Sequence, residues 1–209
     1  MRYIRQERQY RYAGLNICVP TGVFHPGIFF STPIFLHFLK QVDFHNKTVL
    51  DVGTGSGILA VFAAKNGGQV TAIDLHLQAL ATAQLNATNN GLTITTKQSD
   101  LFAQLTPQLF DFILVNPPYY PRIPKNDAEK AFFAGHELEY FDHFFSKLPD
   151  FIHPETKIWM ILSEDCDLKR IAQKALGNSF SSESVFTQKK WGEIFEVIRF
   201  KSLKATAPS

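Results

Sequence analysis

The sequence predicts an α/β fold: a mostly parallel sheet of short strands with helices on both faces. Three observations carry that prediction. From Thr48 onward, short apolar runs alternate with longer stretches of helical periodicity. The first run, Thr48–Val52, breaks into a bend with glycines at 53, 55 and 57. Later runs end on polar residues suited to ligand contact: Asp74, Asp100 and Asn116. Strands separated by helices must cross over to pair, so they pair in parallel.

Each element has its own signal. Residues 1–30 carry Gly14, Pro20, Gly22, Pro26 and Gly27 among short β-prone pieces such as Asn16–Val19. They read as an N-terminal lead-in or small hairpin, and 31–209 as the main domain. Ser31 or Thr32 is suited to cap a helix with Pro33 in its first turn, running to about Val42. Strand Thr48–Val52 leads into a helix over Ser56–Lys65, which Asn66-Gly67-Gly68 ends. Strand Gln69–Asp74 is followed by a helix from Leu77 to Asn90, with Leu77, Leu80, Ala81 and Leu85 on one face. Gly91 stops it. Strands follow at Thr93–Gln98 and Phe110–Val115.

A polar loop then precedes a helix over His136–Leu148, where Leu138, Phe141, Phe144, Phe145 and Leu148 recur at helical spacing. Strand Lys157–Ser163 and a helix over Cys166–Leu176 come next. The β-prone runs Glu183–Thr187 and Glu193–Lys201, joined through Gln188–Gly192, close the chain.

Composition bounds the function. The 209 residues are 45% hydrophobic and 19% charged, so a sizeable core forms, and most of the 20 phenylalanines belong in it. A net charge of +2 gives no argument for a nucleic-acid partner, although Arg2, Arg5, Arg8 and Arg11 make the start of the chain locally basic. The two cysteines, Cys18 and Cys166, sit far apart, which fits a reducing compartment. Seven histidines show no ligand pattern, so no metal site is expected. No apolar run reaches membrane-spanning length and no signal-peptide core is present, so a soluble cytoplasmic protein is expected.

The glycine spacing is selective. The dinucleotide fingerprint G-x-G-x-x-G would need glycine at Ile58, and no Gly-Lys pair exists to make a phosphate loop. In open α/β sheets ligands bind outside the carboxyl ends of the strands. There Asp74 can accept hydrogen bonds from both hydroxyls of a ribose, or cap the next helix. Asp100, beside a backbone N–H and flanked by Leu101 and Phe102, suits the edge of an adenine, or is a turn aspartate. Asn116-Pro117-Pro118-Tyr119 is the most specific stretch. Consecutive prolines fix the backbone and remove N–H donors. The Asn116 side-chain oxygen and the Pro117 carbonyl would then face outward as two acceptors for a planar –NH₂ group. Tyr119 would offer it a flat face.

Asp51-Val52-Gly53-Thr54-Gly55-Ser56-Gly57 after a strand resembles the first motif of the Rossmann-like S-adenosylmethionine-dependent methyltransferases. With Asn116-Pro117-Pro118-Tyr119 it is similar to the small methyltransferase-domain family, which includes the HemK/PrmC glutamine methyltransferases and several RNA-base N-methyltransferases. The resemblance implies their fold, with seven strands and a C-terminal antiparallel hairpin. It implies S-adenosylmethionine at Asp51, Gly53, Gly55, Gly57, Asp74, Asp100, Leu101 and Asn116, where Asp51 orients the loop or reaches the methionine amino group. Asn116, Pro117 and Tyr119 are implied in catalysis, and Asn116, Pro118, Tyr119 and Tyr120 against the substrate.

The implied acceptor is a glutamine side chain (N5) in a protein such as a translation factor. The alternative is the exocyclic amine of an RNA base, adenine N6 or guanine N2. Gly22-Val23-Phe24 and Thr32 resemble the RNA-base relatives, whereas Pro26 and Ser31/Thr32 fit the glutamine enzymes but Ile28 or Phe29 stands where those have acidic residues. The chain shows no long N-terminal helical region like that of the bacterial release-factor enzymes. Its size is nearer the compact archaeal and eukaryotic members, which work with a small activating partner protein.

Overall fold

A computed structural model describes residues 8–21, 30–118 and 137–204. They divide into two compact units, one within residues 1–105 and one within 106–209.

In the first unit, β1 (Arg8–Tyr12) and β2 (Leu15–Val19) form an antiparallel hairpin. Ala13 and Gly14 at its turn both have positive φ, 48° and 75°, the geometry whose twist matches that of paired strands. Leu15, Ile17 and Val19 are buried while Asn16 between them is exposed. Helix α1 (Ser31–Leu39) starts one residue earlier than a Ser31 cap would give. Phe30 is the N-cap, without a side-chain bond, and Ser31 lies buried inside the helix. The expected extension to Val42 tightens instead: Lys40, Gln41 and Val42 donate to carbonyls three residues back, as helix ends often do.

Strands β3 (Thr48–Val52), β4 (Gln69–Asp74) and β5 (Thr95–Gln98) pair in parallel in the order β5-β4-β3. Val49, Leu50, Asp51 and Val52 of β3 are all buried, as in a strand covered on both faces. Helix α2 (Ile58–Lys65) follows β3, and α3 (Leu77–Asn89) follows β4. The buried face of α3 differs from the one the leucines suggested. Leu77 and Leu85 are 65% and 51% exposed, while Ala79, Leu80, Thr82, Ala83, Asn86 and Ala87 are buried. Small residues let α3 pack closely, and the buried Asn86 is fully hydrogen-bonded, which offsets the cost of burying its amide.

In the second unit, β6 (Phe110–Val115) pairs in parallel with β7 (Ile152–Ser163). Helix α4 (Glu139–Lys147) and a 3₁₀ turn, Leu148–Phe151, lie between them in sequence. Glu137 and Leu138 do not join the helix expected from His136, and His136 itself lies outside the described residues. Strand β7 begins at Ile152 rather than Lys157, through a register shift beside Phe110. There Thr156 Oγ1 donates to the Phe110 carbonyl at 2.6 Å, and Pro154 sits where no ladder N–H is needed.

Asp167 caps α5 (Leu168–Gly177) by accepting from the Arg170 N–H. The chain ends in the antiparallel pair β8 (Phe180–Lys190) and β9 (Glu193–Ser202), with β9 antiparallel to β7. Both strands are longer than their apolar runs. Strand β8 ends the order β6-β7-β9-β8, and its Ser182, Glu183 and Ser184 face solvent, as an edge strand allows. Together the units supply seven strands to a mostly parallel sheet with a C-terminal antiparallel hairpin, the predicted class. The phenylalanines fill cores as expected: Phe35 and Phe44 in the first unit, Phe141, Phe144, Phe145, Phe180, Phe195 and Phe200 in the second.

Candidate functional site

The glycine bend sits where β3 meets α2. Gly53, Gly55 and Gly57 all have positive φ, 71°, 53° and 79°, which L side chains adopt only at a cost. At Gly57 space is also decisive: a Cβ would lie 2.6 Å from Ala83 of α3. A Cβ on Gly53 would meet nothing within 4 Å, so the bend is open on that side.

The bend does not offer its amides as a phosphate loop would. Gly53 and Thr54 both donate to the Ile73 carbonyl at 2.9 Å, and Gly57 donates to the Thr54 carbonyl at 2.8 Å. Gly55 donates to Asp74 Oδ2 at 3.0 Å. The amides are spent on holding the loop, and the nearby carboxylates would repel a phosphate. Both features, with the spacing, weigh against a dinucleotide cradle.

Asp51 anchors the loop from below. Its Oδ2 accepts from Thr54 Oγ1 at 2.6 Å and from the Ala60 N–H of α2 at 3.2 Å. A carboxylate at a helix N-terminus is favoured by the helix dipole. Burial nevertheless wins, and it pushes the Asp51 carboxyl up to about 7; the bonds from Thr54 and Ala60 pull it down and the nearby Asp74 charge adds to the rise. Its Oδ1 is buried with no partner among the described residues. A buried acceptor left so suits a cationic or N–H donor group on a ligand.

Asp74, at the end of β4, has both oxygens engaged: Oδ2 by Gly55 and Oδ1 by the His76 N–H at 2.9 Å. It therefore fixes the bend and the start of α3 at once. Each oxygen keeps further lone-pair capacity for ribose hydroxyls. The end of β5 lies alongside, since Ser99 donates to the Asp74 carbonyl at 3.0 Å. Asp100 is exposed and its own N–H is taken by Gln104 Oε1 at 2.8 Å. The available amide is the next one. Leu101 has φ 50°, and its N–H enters no hydrogen bond among the described residues. Backbone held in that region marks functional sites often enough to notice. Phe102 is buried beside it.

The structure thus gathers Asp51, the three glycines, Asp74, Asp100 and Leu101 at neighbouring strand ends of the first unit. Asn116, half-buried, Pro117, buried, and Pro118, half-buried, follow β6 in the second unit. Tyr119 and Tyr120 lie outside the described residues. Three residues escaped the sequence reading: Thr54, Ala83 and Asn86. Thr54 had a local signal, a hydroxyl three residues after Asp51. The other two act across the fold and had none.

Cys166 offers no nucleophile. Burial, opposed by hydrogen bonds from Ser163, raises its thiol to about 11. Among the described residues no group of His, Cys, Asp and Glu could hold a metal ion, and no helix is long and apolar enough to cross a membrane.

Comparison with known proteins gives the family and the fold. A protein of Methanocaldococcus jannaschii, provisionally described as a protein N5-glutamine methyltransferase, is 34% identical over 138 residues, 61% of this chain and 68% of its own. The release factor glutamine methyltransferase of Streptococcus pneumoniae is 46% identical over 85 residues, 40% of this chain but only 30% of its own length. Among solved structures, the 16S rRNA N2 G1207 methyltransferase of Thermus thermophilus, in complex with AdoMet and guanosine, shares the fold. It gives a TM-score of 0.70 at 18% identity, over 94% of this chain and 50% of that one. The family model of the methyltransferase small domain matches residues 14–195, from the turn of the first hairpin into the last strand, and the chain therefore belongs to that family of methyltransferases.

Proposed function

We propose that the chain is an S-adenosylmethionine-dependent N-methyltransferase whose acceptor is a planar –NH₂ group, the N5 of a glutamine side chain in a protein. The observation that carries it is Asn116-Pro117-Pro118-Tyr119 placed directly after β6. The similarity to the archaeal N5-glutamine methyltransferase supports it. The methyl donor is S-adenosylmethionine, and the residues fit it: the open side of Gly53, the unpartnered Asp51 Oδ1 and the Leu101 N–H suit a ligand with an ammonium group and an adenine edge. When bound, its sulfonium supplies an electrophilic methyl.

The chain's own residues do the rest. Asp74 accepts from the ribose hydroxyls, and Asp100 and Leu101 take the adenine edge. The Asn116 side-chain oxygen and the Pro117 carbonyl accept hydrogen bonds from the two N–H groups of the acceptor –NH₂, one of whose protons passes to solvent as the nitrogen gains its new bond. An amide nitrogen is a weak nucleophile because its lone pair is delocalised. Two acceptors favour the pyramidal geometry that frees it, so transfer depends on orientation more than on a strong base. Pro118, Tyr119 and Tyr120 give the acceptor plane a surface to lie on. Residues 31–209 form the catalytic domain in this reading, with 1–30 as its lead-in, and the enzyme works in the cytoplasm. Its protein substrate is of the translation-factor kind, with a small activating partner protein as in the compact archaeal and eukaryotic members. A second reading, an exocyclic amine of an RNA base, is favoured by Gly22-Val23-Phe24 with Thr32.

The test is transfer of radiolabelled methyl from S-adenosylmethionine into a lysate, with parallel samples treated with RNase or protease. Label lost to protease and resistant to RNase is expected. The reverse pattern rejects glutamine in favour of the RNA base. Asn116→Ala should keep cofactor affinity within a few-fold and lose most of the transfer.

A further inference from the structure

Helix α3 grips the N-terminal hairpin with two asparagines one turn apart. Asn90 accepts from the Asn16 N–H at 3.0 Å and donates to the Asn16 carbonyl at 2.8 Å. Asn86 does the same with Cys18, both bonds at 2.8 Å. Helix positions i and i+4 lie about 6 Å apart, close to the spacing of i and i+2 along a strand. Each carboxamide therefore satisfies the outer edge of β2 as a peptide of a neighbouring strand would.

The two asparagines differ in their remaining N–H. That of Asn90 goes to the Asn86 carbonyl in its own helix, at 2.7 Å. That of Asn86 goes to the Ser56 carbonyl, inside the glycine bend, at 2.8 Å. Asn86 is 0% exposed, so solvent cannot stand in for any of its three bonds. Ser56 sits between Gly55, held by Asp74, and Gly57, packed against Ala83 one turn before Asn86. The bend is thus fixed to α3 at two successive points, Ser56 and Gly57, and to β4 through Gly53, Thr54 and Gly55.

We infer that Asn86 is a positioning residue for the cofactor loop, and that through it the N-terminal hairpin holds the shape of that loop. This rests on the glycine bend being the S-adenosylmethionine site. Asn86 acts through the Ser56 backbone. Removing its amide takes away the Asn86 bonds to the Cys18 N–H and carbonyl and to the buried Ser56 carbonyl, and frees the bend on one side.

Asn90→Ala is the discriminating comparison, because it loses the same two-bond grip on β2 without touching the bend. Calorimetric titration of the full chain with S-adenosylmethionine, well below the lowest melting temperature, should show Asn86→Ala binding about tenfold more weakly. Asn90→Ala should stay within twofold of wild type even where its melting temperature falls as far. A role in stability alone would make the two variants alike, and equal affinity for wild type and Asn86→Ala overturns the inference. No binding by wild type overturns the cofactor reading and this inference with it, so the two failures are distinct. Where Asn86→Ala does not fold, hydrogen exchange on the wild type decides. Adding S-adenosylmethionine should slow exchange of the Cys18 N–H and leave the Asn16 N–H unchanged; an equal response at the two, or none, overturns the coupling.

Discussion

Burial holds the Asp51 carboxyl at about 7, above the ordinary carboxylate range, and this has a direct consequence for stability. The unfolded chain releases that proton near pH 4, so between there and 7 the folded protein binds a proton the unfolded chain has lost. Stability from this group is full at the acid end of the window and falls as pH rises through it, by about 1.4 kcal/mol per pH unit. Above the folded value its effect is flat. Asp51→Asn, which keeps an oxygen for Thr54 and Ala60, should flatten the fall in melting temperature between about pH 5 and 7 and melt higher than wild type at about pH 8. Thermal denaturation of ligand-free protein measures it, and parallel slopes in the two proteins would assign the pH dependence to other groups. The residues at strand ends, Asp51, Asp74, Asp100 and Asn116, were legible in sequence because a short apolar run fixes where a strand stops. Asn86 was not, since its three side-chain bonds go to Ser56 and Cys18, 30 and 68 positions away.

At the scale of elements, the second unit shows how much a helical pattern alone can specify. Phe141, Phe144 and Phe145 recur at the spacing that puts them on one face of α4, and all three are fully buried. Phe145 packs its ring 4.8 Å from that of Phe200 on β9 and 5.8 Å from that of Phe180 on β8, centroid to centroid. The last hairpin is therefore tied to α4 through its own Phe180 and Phe200, which meet Phe145. Phe145→Ala should destabilise the protein by roughly 3–5 kcal/mol, measured as a shift of the urea midpoint at unchanged slope. A cost below about 1 kcal/mol would mean that the cavity collapses. Strand lengths were less legible. Strand β8 runs from Phe180 to Lys190 because its partner β9 offers a ladder along that length, whereas its exposed serines carry no strand signal of their own.

For the molecule as a whole, a ligand that binds only the folded state raises stability by mass action, by about 2.7 kcal/mol at a hundredfold excess over its dissociation constant. S-adenosylmethionine should raise the melting temperature in this way and NAD should not, because the Gly53, Thr54, Gly55 and Gly57 amides are bonded to Ile73, Thr54 and Asp74 and the Asp74 carboxylate beside them would repel a pyrophosphate. A shift with NAD alone would reverse the cofactor assignment. The fold class, the order of its elements and the residues at the strand ends were determined by the sequence itself, because hydrophobic period, glycine spacing and proline pairs act over a few neighbouring residues. Only the tertiary structure decided which face of α3 is buried, that one Asp51 oxygen has no partner among the described residues, and that Asn86 joins the hairpin to the glycine bend. Those outcomes depend on groups far apart in the chain, whose hydrogen bonds and desolvation exist only once the elements have packed.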